Sequence, residues 1–290
     1  MMSKKELYRA VVRYAPGPAK SLVGYTAEAV SRWQLDRVAR QCFGDRWQPV
    51  DRGPPGPSEI IMKTAVLHKS EVQTTTSSHY YFSSGYSQIL AYLNALKGHD
   101  FDFENMADVY EIGCGSARLL RHWRNVKGTR LVGSDVDKDS VRWCRQHLPD
   151  ITFHDNDVTP PLQFARDESF DLIYASSVFT HIDLSVQADW LRELHRVLRP
   201  GGFLLADLHG AECRRQVLSP EQEAELQAKG GLVIYPGESG SSLSTDIIKS
   251  CDTFQTEEEG KRAFGAYFQV CDYIPRLRDL VVARKTTRAA

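Results

Sequence analysis

The 290-residue sequence has no apolar run near the roughly 18 residues that a membrane-spanning helix requires; its richest stretch, Phe203 to Leu208, is the length of a strand. No membrane partner is expected. Neither charge is in excess, since 36 lysines and arginines face 37 aspartates and glutamates for a formal net charge of −1, so an obligatory nucleic-acid partner is not expected either. Six cysteines, at 42, 114, 144, 213, 251 and 271, include no C-x-x-C pair, which argues for reduced thiols over a disulfide framework or a metal site. Residues 1–20 are basic but carry no continuous apolar core and no small-residue cleavage site. A cytoplasmic location is therefore expected, with a short organellar transit segment as the alternative. At 42% hydrophobic and 25% charged, the chain has the make-up of a folded globular protein.

What is present begins with a helix predicted over Thr26 to Cys42, with Val30, Trp33 and Val38 near helical spacing. The stretch GDRWQPVDRGPPGPS follows, and its prolines and glycines read as a linker or an extended crossing loop. Tyr86, Ile89, Leu90, Leu93 and Leu96 then predict an amphipathic helix over Ser84 to Lys97, stopped by Gly98.

From residue 108, strand and helix patterns alternate, the signature of a parallel sheet covered on both faces. Strands are predicted at Val109 to Ile112, Arg130 to Gly133, Ile151 to His154, Phe170 to Tyr174 and Phe203 to Leu208. Helices are predicted after Ser116, after Asp139, and over Ser185 to Leu198, where Trp190, Leu191, Leu194, Val197 and Leu198 form one stripe ended by RPGG. Beyond 211, Glu221 to Lys229 reads as a helix, residues 230–246 as a loop with a short strand, and residues 267–285 as two strands around a turn near Pro275.

The chemistry-bearing feature is VYEIGCGSARLL, a strand that ends near Glu111 and turns through Gly113 and Gly115. Such a turn brings backbone close to a ligand. A dinucleotide enzyme needs glycine or alanine five residues after the first glycine, and Arg118 stands there instead, which weighs against a nicotinamide or flavin oxidoreductase. Asp135 lies 22 residues beyond Gly113 at the end of the second strand, where a carboxylate accepts from both ribose hydroxyls of a nucleoside. Asp137 is better placed to cap the next helix. A third acid, Asp157, follows the third strand and is a candidate partner for an adenine amino group, a turn aspartate before prolines being the plainer alternative.

With these residues in place, the sequence resembles the class I S-adenosylmethionine-dependent methyltransferases. EIGCGSA is similar to their first motif, GSD carries the acid of the second, NDV matches the third, and FDLIYASSVFTHI and LHRVLRPGGFLLAD look like the fourth strand and the segment leading through the fifth. The resemblance covers residues 106–285. It implies a doubly wound α/β fold with a seven-stranded sheet in the order 3-2-1-4-5-7-6, a methyltransferase domain over 106–290, and an N-terminal helical cap over 1–105. HYYFSSGYSQIL and SVFTHI look like segments of small-molecule or sugar methyltransferases. Ala117 departs from the usual motif glycine.

The resemblance implies S-adenosylmethionine as cofactor. Glu111, Gly113, Cys114, Gly115 and Arg118 are then expected around its methionine part, Asp135 and Val136 at the ribose, Asp157 and Val158 at the adenine, with Ser176 and Tyr81 lining the site. Tyr80, Tyr81 and Phe82 offer aromatic faces to a sulfonium, core packing being the alternative for at least two of them. Cys114 reads as a small side chain facing the fold. Methyl transfer is an in-line displacement that rests on positioning, and a base is needed only where the acceptor carries a proton to lose. His181 and His209, each after a strand, are the candidate bases. The acceptor is expected to be a small molecule, methylated on oxygen or nitrogen; the alternative is a catalytically silent cofactor-binding partner subunit.

Overall fold

The computed structural model describes residues 17–56, 78–235 and 251–286, with side chains from residue 26 onward. Helix α1 (Gly17–Phe43) and helix α2 (Ser78–Lys97) lead into strand β1 (Asp108–Ile112). Next come β2 (Arg130–Asp135), α3 (Lys138–His147), β3 (Thr152–Asp155), β4 (Phe170–Ala175), α4 (Leu184–Val197) and β5 (Leu198–His209). An insertion follows: α5 (Ala211–Val217), α6 (Pro220–Lys229), β6 (Gly231–Ile234) and β7 (Asp252–Gln255). The chain closes with α7 (Glu257–Gly265), β8 (Gln269–Ile274) and β9 (Arg278–Arg284).

Seven strands form one sheet in the order β3-β2-β1-β4-β5-β9-β8, while β6 and β7 form a separate antiparallel pair. Counting only strands of the large sheet, the order is 3-2-1-4-5-7-6, as expected. The first five run parallel and β9 is antiparallel to both β5 and β8. The sheet is covered on both faces. On one, α1, α2, Trp123 and Cys144 share a core with Val109, Leu172, Tyr174, Phe203 and Leu205; on the other, Trp190, Leu194, Phe179 and Phe264 pack on Tyr110, Ile173 and Leu204. Among the described residues, no helix is long and apolar enough to cross a membrane.

Several boundaries differ from the sequence expectation for physical reasons. The buried face of α1 is Leu35, Val38, Ala39 and Phe43, whereas Val30 and Trp33 are exposed, with the Arg37 guanidinium over the Trp33 ring. No α-helix follows Ser116: the chain makes successive turns and a short 3-10 helix (Leu120–Asn125), because Ala117 adopts a left-handed φ of 56° that interrupts helical backbone. Helix α4 stops at Val197, ahead of the RPGG segment, which is the beginning of β5, with Gly201 at φ 83°. Asp137 does cap α3, accepting from the Asp139 amide and the Ser140 hydroxyl. Of the loop with a short strand expected over 230–246, β6 is the strand, while residues 236–246 lie outside the described residues, as do the first sixteen.

Candidate cofactor and acceptor site

The parallel strands β1, β2, β3, β4 and β5 end on one edge, and the residues singled out from the sequence stand along it. Gly113 (φ 66°) and Gly115 (φ 49°) carry the chain out of β1 through conformations that L-residues seldom adopt. A Cβ on Gly113 would lie 2.4 Å from Val178 Cγ2, so a side chain there would collide with Val178 as well as strain the backbone. The turn is fastened to β2. Asp135 Oδ2 accepts the Gly115 amide at 2.7 Å and its Oδ1 accepts the Asp137 amide at 2.8 Å. Burial raises the Asp135 pKa, against those amides, which hold it down.

Glu111 turns under the glycine turn. Its Oε2 accepts from the Leu120 amide at 2.9 Å and from the Tyr174 hydroxyl at 3.2 Å, and burial pushes its carboxyl up to about 8. Both of these partners are internal. Cys114 faces the core, its sulfur 3.0 Å from where a Cβ on Gly133 would stand. Tyr81 and Phe82 are buried, with the Tyr81 hydroxyl donating to the Ser116 carbonyl at 2.9 Å. Both belong to the core beneath the turn. Arg118 is half-buried and reaches Ser84 Oγ at 3.2 Å.

At the end of β3, Asp157 and Val158 are exposed, and the Val158 carbonyl accepts from the Trp190 indole at 3.0 Å. Between Asp135 and Asp157 stands a residue the sequence reading passed over. Asn156 gives its side-chain amide to the Asp157 carbonyl at 2.7 Å, which fixes its orientation, and its Oδ1 is buried without a hydrogen-bond donor among the described residues. A buried acceptor lacking a donor is the kind of group a ligand amine satisfies.

The other half of the edge lies over β4 and β5. Ser176 donates to Asp207 Oδ2 at 3.1 Å, and Arg276 reaches Asp207 Oδ1 at 3.4 Å. Burial raises the Asp207 pKa, with Arg276 opposing it. Arg278, paired in register with His209, donates to Ser177. The two histidines predicted separately are brought together, with ring centroids 6.3 Å apart. His181 is about one-third exposed, its Nδ1 lying 3.1 Å from the Cys251 carbonyl and 3.4 Å from Asp252 Oδ1. His209 is buried, stacked on Phe254 at 4.6 Å, with Nδ1 3.2 Å from Cys213 Sγ.

Cys213, Cys251, Asp252 and Phe254 all come from the insertion after β5, so that insertion covers this half of the edge. The sequence reading passed over Asp207, although an acid two residues before His209 in an otherwise apolar strand shares its face and is a legible signal. Asp252 and Phe254 left no such signal, because only the tertiary fold brings them to the histidines.

Residues 109–202 match the family model of a methyltransferase domain. Among curated proteins, the chain is similar to a mitochondrial arginine hydroxylase of Danio rerio (27% identical over 125 residues, 42% of this chain and 36% of that protein). It is also similar to a demethylmenaquinone methyltransferase of Chlorobaculum parvum (29% over 100 residues, 34% and 39%). A third relative is a probable S-adenosylmethionine-dependent methyltransferase of Mycolicibacterium smegmatis (32% over 120 residues, 41% and 43%). The matches thus span less than half the length of each of these three relatives. In fold, the chain is similar to an S-adenosylmethionine-dependent methyltransferase of Clostridium acetobutylicum (TM-score 0.52, 9% identity, 75% of this chain and 96% of that one). A protein of Pyrococcus horikoshii is comparable (TM-score 0.50, 16% identity, 72% and 92%). Family match, sheet order and the glycine turn joined to the acid of β2 agree: residues 109–202 match a methyltransferase domain, and the sheet around them has the strand order of the class I S-adenosylmethionine-dependent methyltransferase fold.

Proposed function

We propose that the protein transfers a methyl group from S-adenosylmethionine to an oxygen or nitrogen of a small metabolite. The observation that carries this reading is the bond between Asp135 and the Gly115 amide, which locks the ribose-binding acid and the glycine turn into one unit at the strand ends. The residues fit the cofactor. Beyond the amides it accepts, the Asp135 carboxylate keeps acceptor capacity for a ribose hydroxyl, and Asn156 Oδ1 lacks a donor among the described residues where an adenine amine would supply one. When bound, the cofactor supplies an electrophilic methyl group on a sulfonium.

In this reading Asp135 and Val136 hold the ribose, and Asn156, Asp157 and Val158 the adenine. Backbone at 113–118 with Arg118 orients the methionine part. Glu111 and Tyr81 act at one remove, Glu111 through the Leu120 amide and Tyr81 through the Ser116 carbonyl. Ser176 and His181 face the acceptor side, where His181 is the more exposed of the two imidazoles and takes a proton from a hydroxyl acceptor; His209 supports it from within the fold. The balanced overall charge favours a small acceptor over a nucleic acid.

Calorimetry with S-adenosylhomocysteine tests the reading. Micromolar binding that Asp135→Ala removes is expected, and equal binding by the variant refutes the assignment. A silent cofactor-binding subunit is the second reading, favoured by the burial of His209 behind Phe254. Transfer of labelled methyl from the cofactor into a metabolite extract by the purified protein decides against it.

A further inference from the structure

Arg121 is the least expected residue near the glycine turn. It is 1% exposed, and its guanidinium lies near the rings of Tyr81, Phe82 and Trp143, 5.0, 5.7 and 5.8 Å from their centroids. Among the described residues it pairs with no carboxylate. Its donors go to carbonyl groups instead: Nε to Ala117 at 2.9 Å, Nη2 to Ser116 at 2.7 Å, and Nη1 to Pro54 at 2.5 Å and Arg52 at 3.4 Å. Burying a cation without a counter-charge is unfavourable, and an apolar side chain would fill the same space without that penalty.

Resting on the cofactor reading above, we propose that Arg121 is a positioning residue of the cofactor turn, holding Ser116 and Ala117 by their carbonyls and tying them to the crossing segment at 52–54. A trans peptide sets its carbonyl and amide in opposite directions, so drawing the Ala117 carbonyl toward Arg121 turns the Arg118 amide away from it. The Ala117 amide closes the turn on the Cys114 carbonyl at 2.8 Å. An outward amide with a positive charge behind it suits a carboxylate such as that of the cofactor. On its other side, Arg121 shares the crossing segment with Asn125, whose Oδ1 accepts the Val50 amide at 2.8 Å, and with Arg124, which donates to the Asp51 carbonyl at 2.7 Å. Order at the cofactor turn and order in residues 49–56 are thereby coupled.

The test pairs calorimetry with amide hydrogen exchange, using S-adenosylhomocysteine as probe on the full chain. In the wild type, the probe slows exchange in 49–56 as well as in 113–118. Arg121→Met weakens binding at least tenfold and uncouples 49–56 from the probe; Arg121→Lys, keeping charge and part of the donor set, lies between. Binding by Arg121→Met within twofold of wild type, or an unchanged response of 49–56 in that variant, overturns the proposal. Should Arg121→Met fail to fold, the wild type decides, because exchange in 49–56 that ignores the bound probe also overturns it. A wild type that does not bind the probe at all refutes the cofactor reading instead.

Discussion

Ala117 and Arg121 are joined through a strained backbone: the alanine stands at φ 56° with its carbonyl held by the arginine Nε at 2.9 Å. A left-handed conformation costs an L-residue roughly 1–2 kcal/mol, of which a glycine's greater unfolded freedom takes back about 0.5–1 kcal/mol. Ala117→Gly is therefore expected to stabilise the protein by about 0.5–1 kcal/mol. Urea unfolding measures it, and a lower midpoint for the variant would show that the alanine is not strained.

Gly85 of α2 lets that helix touch the chain beyond the glycine turn. A Cβ there would stand 2.5 Å from His122 Nε2 and 2.7 Å from the Arg118 carbonyl. Alanine gains about 1 kcal/mol in helix propensity, but contact with backbone leaves little room to relax, and overpacking costs about 1–3 kcal/mol. Gly85→Ala should come out net destabilising and weaken S-adenosylhomocysteine binding; thermal melts and calorimetry that match the wild type would contradict this.

Glu111 makes stability depend on pH in a definite direction. Its carboxyl rises from an ordinary 4.5 to about 8 through burial, so the folded protein keeps a proton that the unfolded chain releases. That contribution is fully present below pH 4.5 and is lost as pH rises to about 8. Glu111→Gln should gain on the wild type across that window and hold a constant margin above it. His122, held well below its usual value by burial, acts in the opposite sense, favouring unfolding as pH falls below 6.5 in both proteins. Denaturant titrations at a series of pH values separate the two, and a margin that stays flat from pH 4.5 to 8 would rule out the Glu111 contribution.

Asp135 and Asp137 sit two residues apart and are expected to fail differently. Asp137 caps α3, and its loss to alanine should cost about 1 kcal/mol of stability with cofactor affinity retained. Asp135→Ala should abolish cofactor affinity. Interchanged phenotypes in calorimetry and melting would reverse the assignment.

The sheet was legible because its central strands are short, mainly apolar runs, as in Val109 to Ile112 and Phe203 to Leu208, and because strand and helix alternate. Asp137 was legible as a cap because capping is local. The turns after Ser116 were not, since LLRHW carries helical spacing whatever its backbone does, and the left-handed Ala117 shows nothing of itself in composition. In α1, exposed Val30 and Trp33 resemble a core stripe until packing chooses Leu35 and Ala39 instead. The acceptor side was least legible, because Phe254 reaches His209 across 45 positions of sequence through an insertion that has no periodic signature.

The strand order makes the sheet edge a ruler. Asp135 ends β2 and His209 ends β5, with β1 and β4 between them, so three steps of about 4.8 Å set the two residues about 14 Å apart along the edge. A compound that touches only one end answers to one set of strands, and a change in the insertion over β5 leaves the adenosine half untouched. In the proposed reading the two halves are free to diverge separately, so that one nucleoside grip would serve a succession of different acceptors.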